Sequence, residues 1–176
     1  MDDLILPNGD AAGPLIGPGD PPAFEIVNAD GSAPLQLVCD HASRVVPEAL
    51  GDLGLDAGHF ERHIAYDIGA AGVTRLLARE MDAQAVIAGF SRLVIDLNRP
   101  PGHPESIPEN SDATPIPGNQ ALAEADQSKR VSELFEPYHD AVMEALAHLW
   151  RRGKPPALFS VHSFTPNYGD EDRPWD

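Results

Sequence analysis

Apolar residues in this chain gather in short runs bounded by polar or Pro/Gly-rich stretches. That pattern fits strands buried on both faces, as in an open α/β sheet. Leu35-Gln36-Leu37-Val38-Cys39 is the first strong run, and it leads into Asp40-His41-Ala42-Ser43. Ala85-Val86-Ile87-Ala88 and Leu93-Val94-Ile95-Asp96-Leu97 are two more, separated by the break Gly89-Phe90-Ser91-Arg92. Ala157-Leu158-Phe159-Ser160-Val161 is the last, and it leads into His162-Ser163-Phe164. Phe24 to Val27 predicts a shorter extended segment, followed by the turn-prone Asn28-Ala29-Asp30-Gly31.

Helical spacing appears between these runs. A weak helical patch covers Pro47 to Leu53, and a better one runs from about Ile64 to Met81. In the second, Tyr66, Val73, Leu76, Leu77 and Met81 share a face away from Arg75, Arg79 and Asp82. A long helical region is predicted from Ala121 to Arg152, with Val131, Leu134, Phe135, Tyr138, Val142, Met143, Leu146 and Leu149 inward. Pro137 is expected to kink or split it, and Gly153 to end it. Residues 100 to 119 are rich in proline and predict a long irregular loop. The Pro/Gly density of residues 1–22 predicts a flexible arm, which leaves 23–176 as one layered α/β domain.

Composition narrows the function classes. Twelve basic against 28 acidic residues give a net charge of -16, which opposes nucleic acid and anionic membrane as partners. The single cysteine excludes an internal disulfide and any zinc site built from several thiolates, and its place in a strand makes Cys39 a small buried apolar residue. The acidic, Pro/Gly-rich N-terminus does not resemble a signal peptide, and no run reaches the roughly 20 apolar residues that span a bilayer, so a cytoplasmic location is expected.

The candidate chemistry lies just beyond the strands, where open α/β sheets collect their ligands. His41 and His162 each follow a predicted strand, and neutral imidazole is a standard zinc ligand. A catalytic zinc takes three protein ligands; Asp67 is the first candidate for the third and Glu48 the second. The competing reading makes each histidine a strand-end residue bonded to a loop. Asn98 and Arg99 close the Leu93–Leu97 run with groups able to grip a carboxylate, Arg92 adds a further cation, and the alternative is an ordinary ion pair in an acidic chain. Asp96, inside an apolar run, is expected to meet an arginine or a loop amide for structural reasons. His139 and His148 read as packing or surface residues. His59, His63 and His103 carry no specific signal.

Four motifs in order then bear a resemblance: Cys39-Asp40-His41-Ala42-Ser43, Glu61-Arg62-His63-Ile64-Ala65-Tyr66-Asp67-Ile68-Gly69-Ala70, Ser91-Arg92-Leu93-Val94-Ile95-Asp96-Leu97-Asn98-Arg99-Pro100 and Val161-His162-Ser163-Phe164-Thr165-Pro166. Together, from about residue 35 onward, they resemble the N-formylglutamate amidohydrolase family. The resemblance implies a three-layer α/β/α sandwich of the zinc-carboxypeptidase, phosphorylase/hydrolase-like type. It also implies hydrolysis of an N-formyl or N-acyl amino acid at a zinc held by His41, Asp67 and His162. Arg92, Asn98 and Arg99 would clamp the substrate carboxylate, and Ser111 and Asp112 would join them from the loop Ser111 to Asn119.

The chain departs from the family pattern at three points. Ala113 stands where a glycine is expected, and Arg44 where an asparagine is; Arg44 also removes the His-x-x-Glu pair of the carboxypeptidases. Family members continue beyond the His-Ser-Phe-Thr-Pro motif, where a general-base glutamate is expected, so truncation at the C-terminus is anticipated and the general base is unassigned. The rival readings are a non-catalytic small-molecule or metal-binding domain, and an inactive fragment whose open sheet edge needs a partner.

Overall fold

The computed structural model describes residues 13–153, 155–168 and 171–172. Its centre is a mixed sheet of β1 (Phe24–Val27), β2 (Leu35–Cys39), β3 (Gln84–Ala88) and β6 (Ala157–Ser160), in the order β1-β3-β2-β6. β2 pairs in parallel with both β3 and β6, and β1 closes the far edge antiparallel to β3. Two small hairpins lie outside it: β4 (Asn110–Ser111) with β5 (Thr114–Pro115), and β7 (Asn167–Tyr168) with β8 (Glu171–Asp172).

Alternation along the strands divides the interior between two faces. Leu37, Cys39, Ala85 and Ile87 face α1 (Ala70–Glu80) and pack with Ala70 and Ala78. Val38, Val86 and Ala88 face the other way, toward Leu134, Tyr138 and Val142 of the long helical region. Helices on both faces make a layered α/β domain, as the alternation of runs predicts. Among the described residues no helix is long and apolar enough to cross a membrane.

The helices differ in detail from their predicted form. α1 starts at Ala70 because Gly69 sits at φ 84, a left-handed backbone outside the helix. Its buried stripe is small, Ala70, Thr74 and Ala78, which lets it lie close to the sheet, whereas Val73, Leu76 and Met81 of the predicted apolar face are about half exposed. The second helical region is split just before Pro137, in line with the expectation. α2 (Glu124–Arg130) passes through a π-turn, Val131–Phe135, into α3 (Glu136–Arg151). Pro137 falls in the first turn of α3, where its missing N–H is tolerated, and the Glu136 N–H reaches back to the Val131 carbonyl.

The run Leu93 to Leu97 is buried but is not a strand. Its backbone is bound by side chains from elsewhere: Asn119 donates to the Leu93 carbonyl at 2.8 Å, Arg130 to the Val94 carbonyl at 2.8 Å, and His139 to the Leu97 carbonyl at 2.9 Å. The Asp96 N–H donates to the Ser106 carbonyl at 2.7 Å. With these groups satisfied locally, no ladder partner is needed. Arg130 itself is buried and also donates to the Asn119 Oδ1 at 2.7 Å; burial lowers its pKa to about 10.

Of the arm predicted over residues 1–22, the first twelve lie outside the described residues. Residues 13–22 carry no regular element, yet they are packed rather than free. Leu15 is buried, and its N–H donates to the Glu133 carboxylate at 2.8 Å.

Candidate active site

β2 and β6 are parallel neighbours, so their carboxyl ends deliver two side chains to one place. Val38 stands opposite Ser160, and His41 and His162, just beyond, have ring centroids 5.1 Å apart. Asp67 arrives from the turn that precedes α1, and its N–H donates to the His41 carbonyl at 2.8 Å. Its Oδ2 lies 2.8 Å from the His162 Nδ1 and 3.5 Å from the His41 Nδ1. One ligand atom from each of His41, Asp67 and His162 lies within 4.8 Å of the others. Glu48, the other candidate for a third ligand, is exposed on a short 3-10 helix and does not join them.

Neighbouring polar groups orient these three side chains. The His41 Nε2 meets the Asp96 Oδ1 at 2.7 Å, and Asp96 also accepts from the Arg92 Nη2 at 2.7 Å and from the Asn98 N–H at 2.9 Å. The His162 Nε2 meets the Ser160 Oγ at 2.9 Å, and Asp40 beside it accepts from the Tyr138 hydroxyl at 2.5 Å. With its Nε2 proton on Asp96, His41 presents an Nδ1 lone pair, and that atom is buried without a hydrogen-bond partner.

Electrostatics reinforce the arrangement. Burial resists charge on Asp67, but the imidazoles of His162 and His41 hold its carboxyl well below the usual range. Burial likewise opposes the Asp96 carboxylate, and His41 with Arg92 brings it down to about 2. Burial disfavours a charged His41, yet Asp67 and Asp96 outweigh it and raise the pKa. Burial and Asp40 push the Tyr138 phenol far up, so it remains a donor. An orphaned imidazole nitrogen facing an ionised carboxylate and a second imidazole is a donor set that suits a divalent cation.

The three residues open onto a cavity of about 320 Å³ that Arg92, Asn98 and Arg99 also line. Arg92 already holds Asp96 and stands 3.7 Å from Asp67, so its guanidinium is fixed at the cavity wall. Arg99 and Asn98 are exposed, with Arg99 3.3 Å from Glu105. Ser111 lines an adjoining recess with Arg92 and Arg99. Asp112 lines neither space; it accepts from the Arg62 Nη2 at 2.9 Å, and its Oδ2 lies 3.5 Å from the His63 Nε2. His63, which carries no signal in the sequence, lines the main cavity. Its motif is visible, but its spacing to Asp67 gives no side-chain direction in a segment outside any helix.

The family model described as N-formylglutamate amidohydrolase matches residues 33–175, which include every residue of the cluster and the cavity. This chain belongs to the N-formylglutamate amidohydrolase family. The crystal structure of gene product Atu2144 from Agrobacterium tumefaciens superposes with a TM-score of 0.85 at 40% identity, covering 88% of this chain and 61% of that one. The chain thus spans about three fifths of the length of that relative. No curated protein matches it.

Proposed function

We propose that this member of the N-formylglutamate amidohydrolase family is a zinc-dependent hydrolase of the amide bond of an N-formyl or N-acyl amino acid. The observation that carries the reading is the convergence of His41, Asp67 and His162 with Arg92, Asn98 and Arg99 on one cavity. Two imidazole nitrogens and one carboxylate oxygen are a zinc donor set that leaves a position open. Bound there, zinc would supply Lewis acidity toward the acyl carbonyl and activation of water.

The protein's own groups would do the rest. Asp96 keeps His41 in the tautomer with a free Nδ1, and Asp40 and Ser160 steady His162. Arg99 and Asn98, exposed at the rim, would orient the substrate carboxylate, with Arg92 fixed between Asp67 and Asp96. Ser111 would extend this contact from the neighbouring recess. Elemental analysis of protein purified without chelators, beside the His41→Ala, His162→Ala double variant, tests the reading. It predicts near one zinc per chain, lost in the variant, and release of the free amino acid from N-formylglutamate. Equal metal content in both proteins would remove the zinc site. Bound zinc without turnover of any N-acyl amino acid would turn the reading toward a binding domain.

A further inference from the structure

We infer that Glu105 is an internal stand-in for the substrate carboxylate, holding Arg99 in the empty site and giving way when substrate binds, and that it thereby sets the affinity for anionic substrates. This role rests on the amidohydrolase reading above, in which Arg99 takes that carboxylate. Arg99 lines both the main cavity, beside His41, Asp67 and His162, and the adjoining recess. Glu105 lines the same recess with Arg92 and Ser111, and its Oε2 lies 3.3 Å from the Arg99 Nη2. The arginine assigned to the ligand thus already faces an internal group of the ligand's own chemistry. The contact is long for a charged pair and the Glu105 side chain is 66% exposed, so it holds Arg99 weakly. A substrate carboxylate accepting two parallel N–H bonds from the guanidinium makes the stronger pair.

The backbone that carries Glu105 is tied to the site. Its N–H donates to the His103 Nδ1 at 3.1 Å, the His103 N–H to the Pro100 carbonyl at 3.0 Å, and the Ser106 N–H to the His103 carbonyl at 2.9 Å. Ser106 is buried, and its carbonyl accepts from the N–H of Asp96, the residue that meets the His41 Nε2. Pro100, Pro101, Pro104 and Pro108 stiffen the same segment by fixing φ. A braced loop therefore returns one carboxylate to the recess, and rotation of an exposed side chain is enough to release Arg99. Displacing Glu105 costs an anionic substrate the energy of the internal pair. That cost falls equally on the bound substrate and on the transition state, so Glu105 acts on KM and leaves kcat unchanged.

The test measures KM and kcat for N-formylglutamate in zinc-loaded wild type, Glu105→Gln, Arg99→Ala and the double variant, compared through kcat/KM where saturation is not reached. Expected is a KM about 2- to 5-fold lower in Glu105→Gln at unchanged kcat, the gain that releasing an exposed ion pair allows. Once Arg99 is alanine, Glu105→Gln should bring no further gain. An equal or higher KM in Glu105→Gln, or the same gain with Arg99 absent, would overturn the role of Glu105 while the hydrolase reading stood. If zinc-loaded wild type shows no turnover, the hydrolase reading falls by itself. The Kd of N-formylglutamate, measured by calorimetry on the same four proteins, then decides the role of Glu105 by the same signs.

Discussion

Leu35–Cys39 and Leu93–Leu97 are apolar runs of equal length, both buried, and only the first is a strand. β2 has a parallel neighbour on each side to take its backbone groups, and β3 and β6 continue the sheet around it. Leu93–Leu97 has no such neighbours; Asn119, Arg130 and His139 take its carbonyls instead. The two serve different ends. The ladder of β2 and β6 brings His41 beside His162, whereas the irregular run lets Asp96 fold back onto His41 and turns Asn98 and Arg99 outward to the cavity. Both runs are buried, and the partner available to each backbone carbonyl decides whether a buried run is also a strand.

The sharpest way to break this contrast is to remove the side chain that substitutes for a ladder. Arg130→Ala leaves the Val94 carbonyl and the Asn119 amide oxygen buried without their donor, at a cost of roughly 2–4 kcal/mol. Hydrogen exchange should show protection lost first around residues 93–99, with β2 and zinc content preserved. A Leu37→Ala variant should cost a similar amount but loosen the whole sheet. Uniform loss of protection in Arg130→Ala would show that the two regions are one cooperative unit.

A smaller effect is expected where the regions meet. Asp96→Ala removes the group that fixes the His41 tautomer, and zinc affinity should fall about 10- to 100-fold in competition titration. The same contact sets a pH window for the metal-free protein. The His41 pKa is raised above 6.5, so its contribution is complete below that value and is lost as pH rises through the folded value. The Asp96 pKa is lowered from 3.8 to about 2, so its contribution is present above 3.8 and is lost as pH falls toward 2. Melting temperatures in chelator should therefore fall on both sides, and a flat profile would show that His41 and Asp96 do not interact in the fold. The smallest effect tests the hairpin strain: Ala113→Gly, at φ 55, should stabilise by about 1 kcal/mol in denaturant titration.

Much of the sheet could be read from pattern, because β2, β3 and β6 coincide with the apolar runs and β1 with the short extended segment, although β6, expected to be buried, is exposed along its length. The inner face of α1 could not. Its close approach to Leu37 and Ile87 selects Ala70, Thr74 and Ala78, so the larger Val73 and Leu76 face outward despite their hydrophobicity. The metal candidates were visible because a histidine just past a strand has few places to point. The place of His63 on the cavity wall was not, since its segment lies outside any helix or strand.

By itself, then, the sequence determined the layered α/β class, the strands that carry His41 and His162, and the motifs that join this chain to its family. Those features depend on local periodicity and on residues close to their own element. Tertiary structure alone decided that Asp67 rather than Glu48 meets the two histidines, that Arg130 holds a run 36 residues away, and that Asp112 faces His63. Each is a pairing between separate segments, set by which backbone groups the completed core leaves in need of a partner.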